Sequence, residues 1–417
     1  MAQTDLSNAK NVKKNEFYTM YEDIQREVNA YLDYDPDTFK DKVVLLPCDD
    51  PEWSNFTKFF VANFKRLGLK KLISTSYAID SKVKNYQMSI FDFISDFEKK
   101  SPQYNEKITK QKGKIFILDR STSKKIDIDN LQWSYLEGDG DFRSDEVKKL
   151  RDEAQIIVTN PPFTLFRDFI KWIFEEKNKD GKDKQFLIIG NQNAITYKDV
   201  FPLIMENRMW LGYRFNERVN GENMIFRVPD SYPMIGTEVF TDDDGKKFIS
   251  VSGTGWFTNL DHGRRHSPLQ GTMTMKDNIK FNKEFQNKIK KDGLKEPYQK
   301  YDNYEAIEVS VTSAIPSDYS GVMGVPISFL PKYCPTEFEI LGATQRGCHD
   351  LLPDTKKYDD FKEINYKTGK PTGSSGGKTN ENANLVKNDG KHNYFINDSG
   401  EIIQSAYQRI FIRRKES

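Results

Sequence analysis

The chain predicts an α/β fold: a doubly wound, Rossmann-like, mostly parallel sheet, followed by an added region of different texture. Three observations predict it. Short apolar runs rich in β-branched residues recur up to Gly190. Polar segments with helical spacing lie between them, and strands alternating with helices give a parallel sheet wound on both faces. Beyond Gly190 the runs shorten and turn residues crowd in.

Residues 1–14 are polar, lack an apolar signal core and are expected to be disordered. Met20, Tyr21, Ile24, Val28, Tyr31 and Leu32 recur at helical spacing, so residues 20–32 read as an amphipathic helix. Strands are expected at Lys42–Pro47, Lys71–Tyr77, Lys114–Asp119, Ala154–Thr159 and Gln185–Gly190. Helices are expected at Trp53–Leu67, Ile90–Lys99, Ser144–Glu153 and Leu165–Glu176. Trp210–Arg218, Asn223–Val228, Glu238–Thr241 and Lys247–Val251 read as short antiparallel strands, the last two joined by an Asp242-Asp243-Asp244-Gly245 turn. Residues 366–382, rich in Gly, Ser, Thr, Lys and Asn, read as a mobile loop that orders on a partner or is a plain insertion. Tyr407–Arg414 alternates apolar and basic residues as a strand does.

Composition narrows the functional classes. The 417 residues are 30% charged and 37% hydrophobic with a net charge of +1, so any basic surface must be local. No apolar run approaches bilayer length, which speaks against a membrane protein. Three cysteines (Cys48, Cys334, Cys348) with no C-x-x-C pair fit a reducing cytoplasm. Four histidines assemble no metal set, so no metal is expected. The locally basic stretch is 262–300, with ten Lys and Arg against four acids, a net of +6. Arg264, Arg265, His266, Lys276 and Lys280 are its candidate phosphate contacts; a solvated helix of mixed charge is the competing reading.

The chemistry-bearing motif is Asn160-Pro161-Pro162-Phe163, directly after the run Ala154–Thr159. In open α/β sheets the ligand crevice lies at such carboxyl strand ends. Asn-Pro-Pro-aromatic there resembles enzymes that methylate amino or amide nitrogens with S-adenosylmethionine. An exocyclic amino nitrogen such as adenine N6 is a poor nucleophile, because its lone pair is delocalised into the ring. The Asn160 side-chain oxygen accepts one of its hydrogens and the Pro161 carbonyl the other, localising the lone pair. The two prolines hold the acceptors in extended geometry. Phe163 offers a face on which an extruded base stacks. The competing reading is a strand that ends in a proline loop.

Several further strings resemble the EcoRI-type DNA adenine-N6 methyltransferases, the modification partners of restriction endonucleases. They are Asn15-Glu16-Phe17-Tyr18-Thr19, Cys48-Asp49-Asp50-Pro51-Glu52-Trp53-Ser54-Asn55-Phe56 and Gly138-Asp139-Gly140-Asp141-Phe142. Gly255–Gly263 and Asp318–Pro326 continue the likeness, which covers most of residues 10–345.

The resemblance implies an S-adenosylmethionine-dependent methyltransferase sheet over residues 15–261 and a DNA target-recognition region over 262–417. It implies a flipped adenine in double-stranded DNA as substrate and a cognate endonuclease acting separately; a monomer is expected. Phe17 and Tyr18 then line the cofactor pocket. Cys48, Asp49 and Asp50 form the loop at its methionine part, without the usual glycines; Asp49 or Asp50 accepts from the ammonium group, or the segment is an Asx turn capping a helix at Trp53. Asp141, 19 residues before Asn160, accepts from the cofactor's adenine in preference to Asp139, and Phe142 packs on that ring; a simple turn is the competing reading. No ribose ligand is assignable from Ser74-Thr75-Ser76-Tyr77. The same tetrad also serves enzymes acting on RNA or on protein glutamine, and a non-catalytic DNA-binding relative would keep the fold. The 254 residues after Phe163 favour duplex DNA, whose target base must be extruded and whose neighbours must be read.

Overall fold

The structure is a computed structural model that describes residues 18–78, 103–121, 131–215, 224–228, 239–292, 296–344, 351–352, 355–359, 362–375, 382–406 and 408–416. The expectations for residues 1–14, for Phe17 and for a helix at Ile90–Lys99 lie outside these residues. The chain divides into two compact units, Met1–Ile195 with Met209–Gly263, and Thr196–Arg208 with Arg264–Ser417.

In the first unit the elements run β1 (Tyr18–Thr19), α1 (Tyr21–Tyr34), β2 (Val43–Leu46), α2 (Asn55–Ala62), β3 (Lys71–Thr75), α3 (Glu106–Gln111), β4 (Lys114–Asp119) and β5 (Ser134–Tyr135). They continue with α4 (Asp145–Glu153), β6 (Ile156–Thr159), α5 (Phe166–Phe174), β7 (Gln185–Asn191), β8 (Trp210–Leu211), β9 (Ile225–Arg227), β10 (Val239–Thr241), β11 (Lys247–Ser250) and β12 (Thr254–Thr258). Eight strands form one sheet in the order β5-β4-β3-β2-β6-β7-β12-β8.

Only its centre is parallel: β3, β2, β6 and β7 run together, whereas β4, β5, β12 and β8 pair antiparallel at the two sides. This corrects the mostly parallel sheet expected from sequence. All residues of β2 and β6 are buried, as strands covered on both faces must be. Phe56, Phe59 and Phe60 of α2 and Ile24, Val28 and Tyr31 of α1 join one core with these strands. Each such Phe contributes about 1.5–3 kcal/mol by leaving water. At Gly190 a Cβ would fall 2.5 Å from the Phe166 ring, so glycine is what lets α5 press onto β7. The second sheet has the order β1-β9-β11-β10. Trp210–Leu211, expected among the short hairpins, instead edges the main sheet beside β12.

Helix starts follow their caps. Ser144 accepts from the Val147 amide at 3.3 Å, and Ser54 accepts from the Phe56 amide at 3.0 Å. α1 stops at Tyr34 because Asp35 is drawn into an extended conformation before Pro36.

The second unit holds α6 (Phe201–Met205), α7 (Met275–Phe281), α8 (Lys283–Asp292), β13 (Ile307–Glu308), β14 (Met323–Pro326) and β15 (Phe338–Ala343). β16 (Lys362–Ile364), β17 (Pro371–Ser375), β18 (Asn384–Val386), β19 (Phe395–Ile396), β20 (Ile402–Ser405) and β21 (Arg409–Arg414) follow. Its main sheet is ordered β13-β14-β21-β15, and a smaller one β18-β20-β19. Pro371–Ser375 pairs with Lys362–Ile364 as a hairpin, so the first part of the expected mobile loop at 366–382 is a strand; 376–381 lie outside the described residues. Among the described residues no helix is long and apolar enough to cross a membrane.

Candidate functional site

The centre of the main sheet contains a switch point. From β2 the chain moves to β3 on one side, and β6 and β7 then fill the other side. Crevices in open α/β sheets form outside the carboxyl ends at such a point. The parallel register Val44↔Ile156 and Leu45↔Ile157 puts the segments after β2 and β6 abreast. Cys48, Asp49 and Asp50 therefore stand beside Asn160-Pro161-Pro162-Phe163.

Asp49 is the tie between these segments. Its two carboxylate oxygens accept from Ser54 Oγ and from Thr159 Oγ1, each at 2.6 Å. Its amide donates to the Thr75 carbonyl at 2.9 Å, and its own carbonyl accepts from Ser74 Oγ at 2.5 Å. One residue thus joins the ends of β2, β3 and β6 to the cap of α2. It is 5% exposed, and burial, opposed in part by the two hydroxyls, pushes its pKa up to about 7. Burial and the adjacent Asp49 also push the Cys48 thiol up, so it is neutral.

Asp50 faces a different set. Its Oδ1 accepts from the Glu52 amide at 2.9 Å, an Asx turn. Its Oδ2 lies 3.0 Å from Lys114 Nζ, which also reaches Glu52 at 2.7 Å and sits 4.9 Å from the Trp133 ring centroid. The helix expected at Trp53 begins at Asn55, because this turn takes up the first residues and Ser54 caps it. Asn55 Nδ2 donates to the Thr19 carbonyl at 2.8 Å, which holds β1, and with it the Tyr18 backbone, beside the start of α2.

After β6, Asn160 is partly exposed and Pro161 buried. The Pro162 carbonyl accepts from the Leu165 amide at 2.9 Å, closing a single 3-10 turn over Phe163–Leu165. Phe163 is partly buried against the core of the first unit.

The turn Gly138–Asp141 packs closely on the end of β3. A Cβ on Gly140, whose φ is +79°, would lie 2.1 Å from the Ser76 carbonyl oxygen, so only glycine fits. The Ala78 amide donates to the Asp139 carbonyl at 2.7 Å. Asp141 is thereby set beside Tyr77, whose hydroxyl donates to it at 2.8 Å, and Arg143 binds both its oxygens. Burial works to raise the Asp141 carboxyl, but Arg143 and Tyr77 outweigh it and hold the group below its ordinary value, ionised. Asp139 Oδ1 accepts from the Asp141 amide at 3.0 Å. Phe142 follows Asp141 into the interior. It is 2% exposed and packs edge-on against Phe169 and Trp172, so its ring serves the helix packing.

Thr159, Ser54, Tyr77 and Lys114 join this site, and sequence reading had missed them. Thr159, Tyr77 and Lys114 are polar residues at, or just outside, the ends of apolar strands, and Ser54 is a helix cap.

In the second unit, Arg264, Arg265 and His266 lie in a short 3-10 turn, Gly263–His266. Arg265 is 7% exposed and donates to Asn207, so it is far less accessible than its neighbours. Arg264 is partly exposed and His266 exposed. Lys276 and Lys280 are exposed on α7.

Comparison with known proteins matches residues 5–415 to the family model described as adenine-specific methyltransferase EcoRI. The chain is 42% identical over 336 residues to the type II methyltransferase M.EcoRI of Escherichia coli, covering 81% of this chain and 88% of the relative. It is 34% identical over 337 residues to M.MpnI of Mycoplasma pneumoniae (80% and 84% covered). It is 33% identical over 362 residues to M.MgeORF184P of Mycoplasma genitalium (86% and 92% covered). No solved structure matches the chain.

Proposed function

The chain belongs to the EcoRI family of adenine-specific methyltransferases, and from that premise we propose how its residues perform site-specific methylation of adenine N6 in duplex DNA. Asn160 and the Pro161 carbonyl accept the two hydrogens of the amino group. The nitrogen lone pair turns out of conjugation, and the positive charge that grows on nitrogen meets two fixed dipoles. An amide oxygen is no base, so Asn160 polarises and the proton leaves afterwards. Phe163, at the head of the 3-10 turn, stacks on the extruded base.

The donor set at the crevice fits S-adenosylmethionine. Asp50 and Asp141 are carboxylates suited to the ammonium group and to the adenine amino group, and Asp141 is held ionised. When bound, the cofactor supplies a methyl group already activated by its sulfonium charge. Asp49, buried and bonded to Ser54 and Thr159, holds the strand ends, whereas Asp50 and Asp141 are partly exposed. Tyr18 is our further candidate for the pocket wall; the tie between Asn55 and the adjoining Thr19 carbonyl supports this by holding β1 beside the start of α2. Arg264, His266, Lys276 and Lys280 belong to the surface that meets DNA phosphates. A separate endonuclease reading the same site is the partner that a type II modification enzyme protects against.

The observation that carries this reading is the alignment of Asn160–Phe163 with the Cys48–Asp50 loop at the switch point. It is tested with Asn160→Ala. Tritiated methyl transfer to duplex DNA is expected to fall at least about 100-fold, since one preorganised acceptor is worth about 3 kcal/mol or more in the transition state. Cofactor and DNA affinity should persist. Near-normal turnover would make the tetrad a structural turn.

A further inference from the structure

α7 is built inside out. The helix Met275–Phe281 buries its asparagine, Asn278, and leaves Ile279 41% and Phe281 58% exposed. The next residue, Asn282, is buried as well. These asparagines clamp the corner between α7 and α8. Asn278 Nδ2 donates to the Met273 carbonyl at 3.2 Å, and Asn282 Nδ2 donates to Asn278 Oδ1 at 3.1 Å and to the Ser313 carbonyl at 2.9 Å. Asn282 Oδ1 accepts from the Phe285 amide at 3.1 Å, and Gln286 Nε2 reaches the Ile279 and Lys280 carbonyls at 2.9 and 2.8 Å. Phe281 therefore stands at the vertex of a rigid corner. A solvated helix would turn Phe281 inward and Asn278 outward, because burying the ring is favourable and burying an amide is not.

Three lysines of this segment, Lys276, Lys280 and Lys283, are exposed, and Lys280 Nζ lies 4.9 Å from the Phe281 ring centroid. The two acids of the same stretch are held by hydroxyls: Asp277 accepts from the cap residue Thr274 at 2.9 Å, and Glu284 from Ser313 Oγ at 2.5 Å, which leaves the lysines in excess by one. An exposed aromatic with a lysine at its face, in a segment of exposed lysines, complements a polyanion with apolar planes, which is a nucleic acid. We propose that Phe281 is the stacking wedge of this enzyme's DNA surface, set against the base stack of the duplex while Lys276, Lys280 and Lys283 hold the flanking phosphates. This rests on the reading of 264–283 as a DNA-facing segment and adds to it an interaction that salt does not screen.

The full chain and a labelled duplex bearing its mapped methylation site make the test. Phe281→Ala should weaken binding about tenfold, which corresponds to about 1.4 kcal/mol, a magnitude in the range of base–aromatic stacking. The slope of log K against log salt should not change, and Phe281→Trp should restore affinity. Lys276→Gln with Lys280→Gln should instead flatten the slope, by about 0.9 for each phosphate no longer neutralised. Calorimetric cofactor binding should be the same in every variant. Unchanged affinity in Phe281→Ala, with a flattened slope in the lysine variant, overturns the wedge and leaves the surface. Unchanged behaviour in both overturns the surface as well. Wild type that sediments as a dimer, with Phe281→Ala a monomer, overturns the proposal by giving this face to a second copy.

Discussion

Asp49→Asn should remove a pH dependence from the stability of the first unit. In the open chain the carboxyl titrates near 3.8, and in the folded chain it is pushed up to about 7, chiefly by burial. The folded state therefore keeps its proton to higher pH than the unfolded state does. Below about pH 4 both states are protonated and the unit has its full stability from this group. As pH rises toward 7 the unfolded carboxyl ionises first, and stability falls by about 1.4 kcal/mol per pH unit, about 4 kcal/mol in all; above 7 the loss levels off. The asparagine cannot ionise, and the Ser54 and Thr159 hydroxyls can turn to meet its amide. Glu27, raised to about 7 by its own burial, is present in both proteins and cancels. The assay is urea unfolding followed by tryptophan fluorescence, because all five tryptophans (53, 133, 172, 210 and 256) lie in the first unit. The stability difference between variant and wild type should grow in the variant's favour by roughly 2 kcal/mol between about pH 5 and pH 7. Parallel curves for the two proteins over that range would refute the argument.

Phe163→Ala should weaken capture of the flipped adenine by about 1–3 kcal/mol. With 2-aminopurine at the target, wild type should brighten the fluorescence and the variant should brighten it less; a wild type that leaves the signal unchanged counts against flipping. Asp141→Ala should raise the dissociation constant for S-adenosylmethionine, since it removes a charge-assisted hydrogen bond, and should leave DNA affinity without cofactor nearly as it was. Calorimetry showing undiminished cofactor binding would reassign the partner of the cofactor's adenine.

Features carried by local pattern were legible in the sequence. The β6 run with its following prolines appears as read, the helix expected over Ser144–Glu153 forms over Asp145–Glu153, and the strand expected over Tyr407–Arg414 forms over Arg409–Arg414. What depends on distant partners was not legible. The direction of β4 is one case, because Lys114–Asp119 has the same alternation whichever way it pairs. Asp49 looks like a loop carboxylate until Thr159, 110 residues later, donates to it. Arg265 looks like half of a basic pair until Asn207, 58 residues earlier, receives it. Phe142 beside Asp141 reads as part of a ligand pair, yet Phe169 and Trp172 of α5 claim the ring. In α7, composition gives no sign that the asparagine turns inward and the phenylalanine outward.

The place of β21 in its sheet has a consequence for biosynthesis. Arg409–Arg414 is laid between β14 and β15, which precede it by more than 60 residues and touch each other only through it. A ribosome delivers those two strands first, β14 paired only with the short β13 and β15 with neither neighbour, each with an open edge. The second unit thus spends part of its synthesis as unjoined halves, when stray strand pairing is the hazard and a chaperone finds its grip. Its sheet closes in one late, long-range step, the kind that makes folding slow. The first unit needs no strand from beyond Thr258 for its main sheet. The crevice at Asn160 is therefore assembled in a nascent chain well before the other unit can close.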